Sequence, residues 1–346
     1  MAIIDKPSDY FNTVLYTGNG SDDHSITGVN FQPDFVWIKN RDDTWNHALY
    51  DSVRTATKKL ESDTTDVEAT LSNGLKSFNS DGFTFGTSGT SNASGEANVS
   101  WNWKAGTNGS GTTTGNGTGK AYSYSVSTTS GFSIIKYVGN GTAGHTIPHH
   151  LGAVPKMIIV KDLAAVSEFK IYHAKLANTE MLVFSNQAKW TSRTEWNSTT
   201  PTSTVFSLGN QANVNTNDRS YIAYCFAEKQ GYSKFGSYTG NGNADGTFVY
   251  LGFKPAFLMR KRTDSTGRWV MEDNKRDTYN VVEKAVAANI NNAEGTGGYW
   301  DVDFTAQGFK VRNNDVEINA SGGSYIYMAF AENPFVTSTG VPATAR

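Results

Sequence analysis

The 346-residue chain carries 18% charged residues against a usual ~25%, 12% aromatics and 34 glycines, the profile of an all-β protein with polar, uncharged loops. Its formal net charge of −2 and the lack of any Lys/Arg-rich run argue against a nucleic-acid partner, which needs a basic footprint. No apolar run approaches the ~18 residues of a membrane span, and the single cysteine, Cys225, excludes an internal disulfide and reads as a buried free thiol.

Residues 1–9 read as an N-terminal arm with a turn at Lys6-Pro7-Ser8. Met1 to Lys6 lacks an apolar signal core, so synthesis in a cytosol and retention in a cell or particle are expected. Phe11 to Tyr16 is strand-like and enters Tyr16-Thr17-Gly18-Asn19-Gly20, a turn in which both glycines tolerate positive φ. In Phe35 to Lys39, after Pro33, bulk lies on both parities, as expected of a strand covered on both faces. Trp45 to Tyr50 reads as the next strand, Val67 to Phe78 as room for a short helix, and Phe83-Thr84-Phe85 with Val99 to Trp103 as closing strands. In the last of these the large side chains share one parity while Ser100 and Asn102 hold the other, so one face packs a core and the other admits close approach. Gly106 to Lys120 is Gly, Thr, Ser and Asn almost throughout, a linker or long exposed loop.

The pattern then recurs. Tyr137-Val138-Gly139-Asn140-Gly141 leads to Pro155 and an apolar run ending at Lys161; Tyr238-Thr239-Gly240-Asn241-Gly242 leads to Pro255 and a run ending at Lys261. Ile222 to Phe226 and Ile326 to Phe330 match the closing strand, with Phe206 and Phe309 upstream as Phe83 is. A whole supersecondary unit therefore repeats. The expected fold is all-β: three tandem antiparallel β-sandwich-like repeats with few short helices, at residues 10–105, 132–229 and 230–335, with a linker at 106–131 and a polar tail at 336–346. Only Lys229 to Gly231 separate the second and third, which should pack as a rigid pair while the first either hinges or is bridged by its long connection; Tyr279 to Asn292 has a helical spacing.

Three kinds of chemistry are conceivable. His145, His149, His150 and His173 crowd the second repeat, but no His-x-x-x-His or Cys-x-x-Cys pair accompanies them, so no metal and no cofactor are expected. Asp51 and Asp273 follow corresponding strands and could serve as glycosidase acids, although a turn-capping role fits an acid at a strand end better. No nucleophile elbow, Walker loop or dinucleotide fingerprint occurs. Trp190, Trp196 and Trp300 instead lie among Lys, Ser, Thr, Asn and Gly; exposed indoles flanked by amides and hydroxyls suit stacking on sugar rings or a protein epitope, so these three are the candidate binding residues.

Tyr16 to Gly20, Phe31 to Arg41, Leu49 to Arg54 and Tyr221 to Glu228 together resemble the repeat module of tailed-phage virion proteins, especially marine ones, commonly labelled tail-fibre or structural proteins. The resemblance covers residues 10–335 and implies a non-enzymatic virion surface protein, made in the host cytoplasm and present as a homo-oligomer or in multiple copies. The implied partners are other virion proteins and a host cell-surface glycan or protein, with neither nucleic acid nor membrane insertion, as for a tail-fibre or receptor-binding module. Only about ten residues precede the first repeat, which keeps a capsid decoration protein open as the alternative; a polysaccharide depolymerase is a further one.

Overall fold

The computed structural model describes residues 4–342. The fold is all-β, built from antiparallel sheets of which none closes into a barrel. The three broadest sheets share a strand order. The first runs Phe11–Thr17, Ala97–Trp103, Phe35–Asn40, Ala48–Asp51 across the sheet. The second repeats this order with Phe132–Val138, Ser220–Ala227, Pro155–Asp162 and Lys170–His173, and the third with Ser233–Thr239, Ser324–Pro334, Phe253–Arg262 and Trp269–Asp273. Pro155 and Pro255 sit at register shifts against the neighbouring strand, where a missing N–H is tolerated.

Each broad sheet is layered on a three-stranded one. The small sheets are His24–Thr27 with Gly82–Phe85 and Leu75–Asn79; His145–Pro148 between Thr114–Gly115 and Val205–Leu208; and Phe248–Tyr250 with Gly308–Val311 and Val302–Thr305. Strand alternation decides what goes where. Val36 and Ile38 pack locally against Phe83 and Phe85, whereas Phe35 and Trp37, on the opposite parity, point away from that layer into a second core.

That second core is common to all three broad sheets. Val99, Trp101 and Trp103 meet Ile222, Tyr224 and Phe226 of the second sheet and Ile326, Met328 and Phe330 of the third. Ring contacts stitch them together: Phe35 lies 4.4 Å from Tyr224, Phe11 5.0 Å from Phe330, and Trp103 5.9 Å from Phe257. Such aromatic burial is the largest hydrophobic contribution per residue available to a chain. The first sheet is thus built into a continuous core with the other two.

The Tyr-x-Gly-Asn-Gly loops are held alike by one buried Asn apiece. Asn92, Asn215 and Asn319 end the four-residue helices Gly89–Asn92, Ala212–Asn215 and Val316–Asn319. Their Oδ1 atoms accept the N–H of Asn19, Asn140 and Asn241 at 2.9 Å in each case. The Tyr hydroxyls of Tyr16, Tyr137 and Tyr238 donate to the carbonyls of Ser91, Val214 and Ile318. Of the two glycines that tolerate positive φ in each loop, the second adopts it (Gly20, Gly141, Gly242).

Several expectations need correcting. Helices form neither at Val67 to Phe78 nor at Tyr279 to Asn292, which hold short strands (Ala69–Thr70, Leu75–Asn79, Ala285–Ala287); the α-helices are Gly89–Asn92, Ala212–Asn215 and Val316–Asn319. The first sheet's fourth strand begins at Ala48, not Trp45. The linker-like stretch is largely ordered: Thr107–Thr112 pairs with Ala121–Ser127 to extend the second sheet. Its glycines make this possible, because a Cβ on Gly109 would come within 2.5 Å of the Tyr124 ring and one on Gly111 within 2.8 Å of the Tyr122 hydroxyl. The arm forms a turn at Pro7–Asp9, with residues 1–3 outside the described range, as are residues 343–346 of the tail.

Candidate functional site

The candidate tryptophans fare differently. Trp196 is only 1% exposed and packs edge-on against Tyr172, so the expectation of an exposed ring fails there. Polar neighbours in sequence did not keep it outside, because the adjacent Glu195 is itself buried and bonded to Arg193 and Asn213. Trp190 is half-buried; Lys170 and Arg193 lie over its ring at 5.0 and 5.4 Å, and its indole N–H donates to Gln187 Oε1. Trp300 is half-buried against the core between the third broad sheet and its three-stranded neighbour, and lines a cavity of ≈510 Å³.

This cavity is the candidate site, and local sequence explains its shape. Gly297 and Gly298, with φ of +64° and +89°, turn the chain so that Tyr299 projects outward, 68% exposed, beside Trp300. The loop is tied down upstream by Glu294, whose carboxylate takes a two-pronged bond from Arg41 at 2.9 and 2.8 Å and whose backbone N–H donates to the Arg41 carbonyl. Downstream, the buried Arg260 donates to the Trp300 carbonyl at 2.9 Å. The indole N–H of Trp300 donates to Glu317 Oε2 at 3.0 Å, and Arg268 lies over the ring at 5.5 Å while pairing with the same carboxylate. Asp315 caps the short helix that carries Glu317 by accepting its N–H.

Chemically the groove offers aromatic faces bordered by acceptors. Glu283, Asp315 and Glu317 surround the one cation, Arg268, which is already paired. Rings framed by fixed hydrogen-bonding groups match the alternating apolar faces and hydroxyl rims of a sugar. Trp300 was legible in the sequence as an indole in a Gly-rich polar loop. Tyr299 carried the same signal as its neighbour, whereas Arg268 and Glu317 come from distant strand and helix ends and carried none.

The conceivable catalytic carboxylates are placed otherwise. Asp51 and Asp273 are fully buried. Asp51 accepts the N–H of Val53 and Arg54, the Arg54 guanidinium, and the Tyr224 hydroxyl at 2.7 Å. Asp273 accepts the N–H of Lys275 and Arg276, the Arg276 guanidinium at 2.6 Å, and the Trp101 indole N–H at 3.1 Å. In the second sheet His173 takes this position: its Nδ1 accepts from Lys175 N, and its Nε2 donates to the Tyr327 carbonyl at 3.3 Å. Each group thus caps its own turn and reaches the closing strand of another sheet, first to second, second to third, third to first.

The remaining histidines also have local partners. His145 bridges Asn215 and Thr113, His149 faces the Thr202 carbonyl, and His150 stacks on Tyr124 at 3.8 Å. Burial pulls His149 and His173 down to about 4, so both rings are neutral near pH 7. Among the described residues, no group of three or more His, Cys, Asp or Glu converges as a metal site would require.

A family model described as "Domain of unknown function (DUF7483)" matches residues 6–334. No curated protein and no solved structure matches the chain.

Proposed function

The chain belongs to the DUF7483 family, and we propose that it acts by recognition and not catalysis, presenting the Trp300 groove to a host cell-surface glycan from the surface of a tailed-phage virion, as a receptor-binding or tail-fibre module. Its scaffold in this reading is three tandem copies of one β-sandwich around a pseudo-threefold axis. Support for the copies comes from the shared strand order, the three identical Asn brackets and the cyclic succession of Asp51, His173 and Asp273. Placement on a virion rests on the resemblance of the repeated motifs.

The observation that carries the binding reading is the exposed Tyr299 beside the half-buried Trp300 in a preformed groove that belongs to one copy alone. Residues repeated in every copy serve the fold, while features unique to one copy are free to bind. The burial of Asp51 and Asp273 in turn caps supports a non-enzymatic role.

Purified protein on a glycan array, with a reducing-sugar assay on every bound glycan, tests this. Binding without release of sugar ends is expected, and Tyr299→Ala should weaken it by roughly 2 kcal/mol, about thirtyfold, with melting nearly unchanged. Sugar release, or Tyr299→Ala binding as well as the parent, would overturn the reading. Immunogold labelling of particles tests the location, with signal on the tail expected and signal confined to the head favouring decoration.

A further inference from the structure

The Trp300 groove does not stop at Trp300. A smaller cavity of ≈100 Å³ shares Trp300, Gly295 and Arg268 with it. A third, of ≈400 Å³, shares Arg268 and Ile290 with the small one and lies where all three sandwiches meet: Asp63 and Thr65 come from the first, Glu168 and Asn186 from the second, Arg268 and Asn289 from the third. The three spaces therefore adjoin one another, with Arg268 as a wall common to all three. The two larger spaces each fall in the size range of a small-ligand site.

Deepening the glycan reading on which it rests, we propose that these spaces form one cleft that takes an extended, uncharged oligosaccharide, one sugar stacked at Tyr299 and Trp300 and the chain running past Arg268 to the three-way junction. Length follows from the succession of cavities, which a single pyranose would leave mostly empty. Charge follows from the lining: Glu283, Asp315, Glu317, Asp63 and Glu168 outnumber the lining Arg268 and the lysines Lys39, Lys161 and Lys170 behind the junction, so a uronic acid or sulfated chain would meet like charge. The far end also offers hydrogen-bonding groups. The Glu168 carboxylate, which Lys161 and Lys170 act on only at range, and the exposed Asn186 side-chain amide both line the junction cavity. Burial raises Glu168 and lifts Asp63 to about 6, as expected of carboxyls partly withdrawn from water beside a ligand space.

Titration calorimetry on the full chain decides the matter, with ladders of β-1,4-linked N-acetylglucosamine, α-1,4-linked glucose and β-1,4-linked mannose from monosaccharide to hexasaccharide and matched uronate ladders. For at least one neutral ladder, affinity should rise by about tenfold or more between disaccharide and tetrasaccharide. Glu168→Gln and Asn186→Ala should each lower tetrasaccharide affinity toward that of the disaccharide and leave the disaccharide unaffected, whereas Tyr299→Ala should weaken every length. Affinity that is flat beyond the disaccharide, or far-end variants that bind tetrasaccharide like the parent, would overturn the extended cleft while leaving the groove intact. Tighter binding of the uronate ladder would overturn the uncharged class, and no binding of any ladder would overturn the extended cleft, whereas the glycan reading beneath it stands or falls on the array.

Discussion

Asn92, Asn215 and Asn319 show how much of this fold hangs on single side chains. Asn215 is fully buried; its Oδ1 accepts from Asn140 N and faces His145 Nδ1, and its Nδ2 donates to the carbonyls of Thr142 and Gly209 at 2.9 and 2.7 Å. Truncation to Ala would strand those partners, and a buried polar group left unpaired costs about 1–3 kcal/mol. Asn215→Ala should therefore destabilise the protein by roughly 3 kcal/mol or more in urea unfolding, with Asn215→Asp failing in the same direction because it loses both donated bonds and buries a charge. A midpoint unchanged in the Ala variant would show that the bracket carries nothing. Each Asn stands nine residues before the middle of a closing strand (Trp101, Tyr224, Met328), but its task is not legible there, since its partners lie on the Gly-Asn-Gly loop some 75 residues away. The same limit explains Trp196. Its neighbours are as polar as those of Trp190, and only the packing of Tyr172 over it decides that one indole is core and the other half-exposed.

Among the elements, the loop-to-helix contact is the most constrained. A Cβ on the first glycine of each motif would fall 2.1 Å from the Ala93 carbonyl oxygen at Gly18, 2.4 Å from that of Thr216 at Gly139, and 2.3 Å from that of Ala320 at Gly240. These are backbone atoms, so no rotamer change relieves the clash and the helix end must move. Gly18→Ala, Gly139→Ala and Gly240→Ala should each destabilise by about 2 kcal/mol or more, whereas Gly95→Ala, which meets no atom within 4 Å, should cost about 1 kcal/mol from its positive φ alone. Chemical denaturation of the four variants measures this; loss in only one of the three equivalent sites would break the case for copies of one unit. The strands were legible because alternation and apolar bulk mark them over five or more residues. The helices were not, because four residues such as Gly89–Asn92 show no periodicity and their composition is that of a turn. Tyr279 to Asn292 misled in the opposite sense: Ala285 to Ala287 is buried on every residue as a sheet edge strand, so a chance helical spacing was overridden by tertiary pairing with Val270 to Glu272. The candidate groove was half legible for a related reason, one wall being a single loop and the other assembled from Arg268 and Glu317.

At the scale of the molecule, three sheets that converge on one core leave a problem at its margin, and a lysine meets it in each. Lys39, Lys161 and Lys261 follow Trp37, Ile159 and Met259 on the face turned to the common core, and all three are fully buried. Their ammonium groups are held by carbonyls: Lys39 by Asn40 and Asp43, Lys161 by Thr65 and Ser167, Lys261 by Arg262. Burial pulls each down from 10.5 to about 8, which opposes what their carboxylate neighbours do. Between pH 8 and 10.5 the unfolded chain therefore binds more protons at these lysines than the folded one, and linkage makes stability rise with pH across that window. Buried tyrosines set the upper bound. Tyr16, Tyr137, Tyr224 and Tyr232 are held well above their ordinary 10, so beyond that pH the unfolded chain sheds protons the folded one keeps, and stability falls. Urea midpoints should accordingly climb from pH 8 to pH 10 and drop above it. Replacing all three lysines, as Lys39→Met, Lys161→Met and Lys261→Met, should flatten the climb to what Lys170 and Lys229, also pulled down by burial, contribute, while keeping the drop. If parent and triple variant instead trace parallel curves through that window, the lysines are charged and water-bound in solution, and the margin of the common core is open where the structure has it closed.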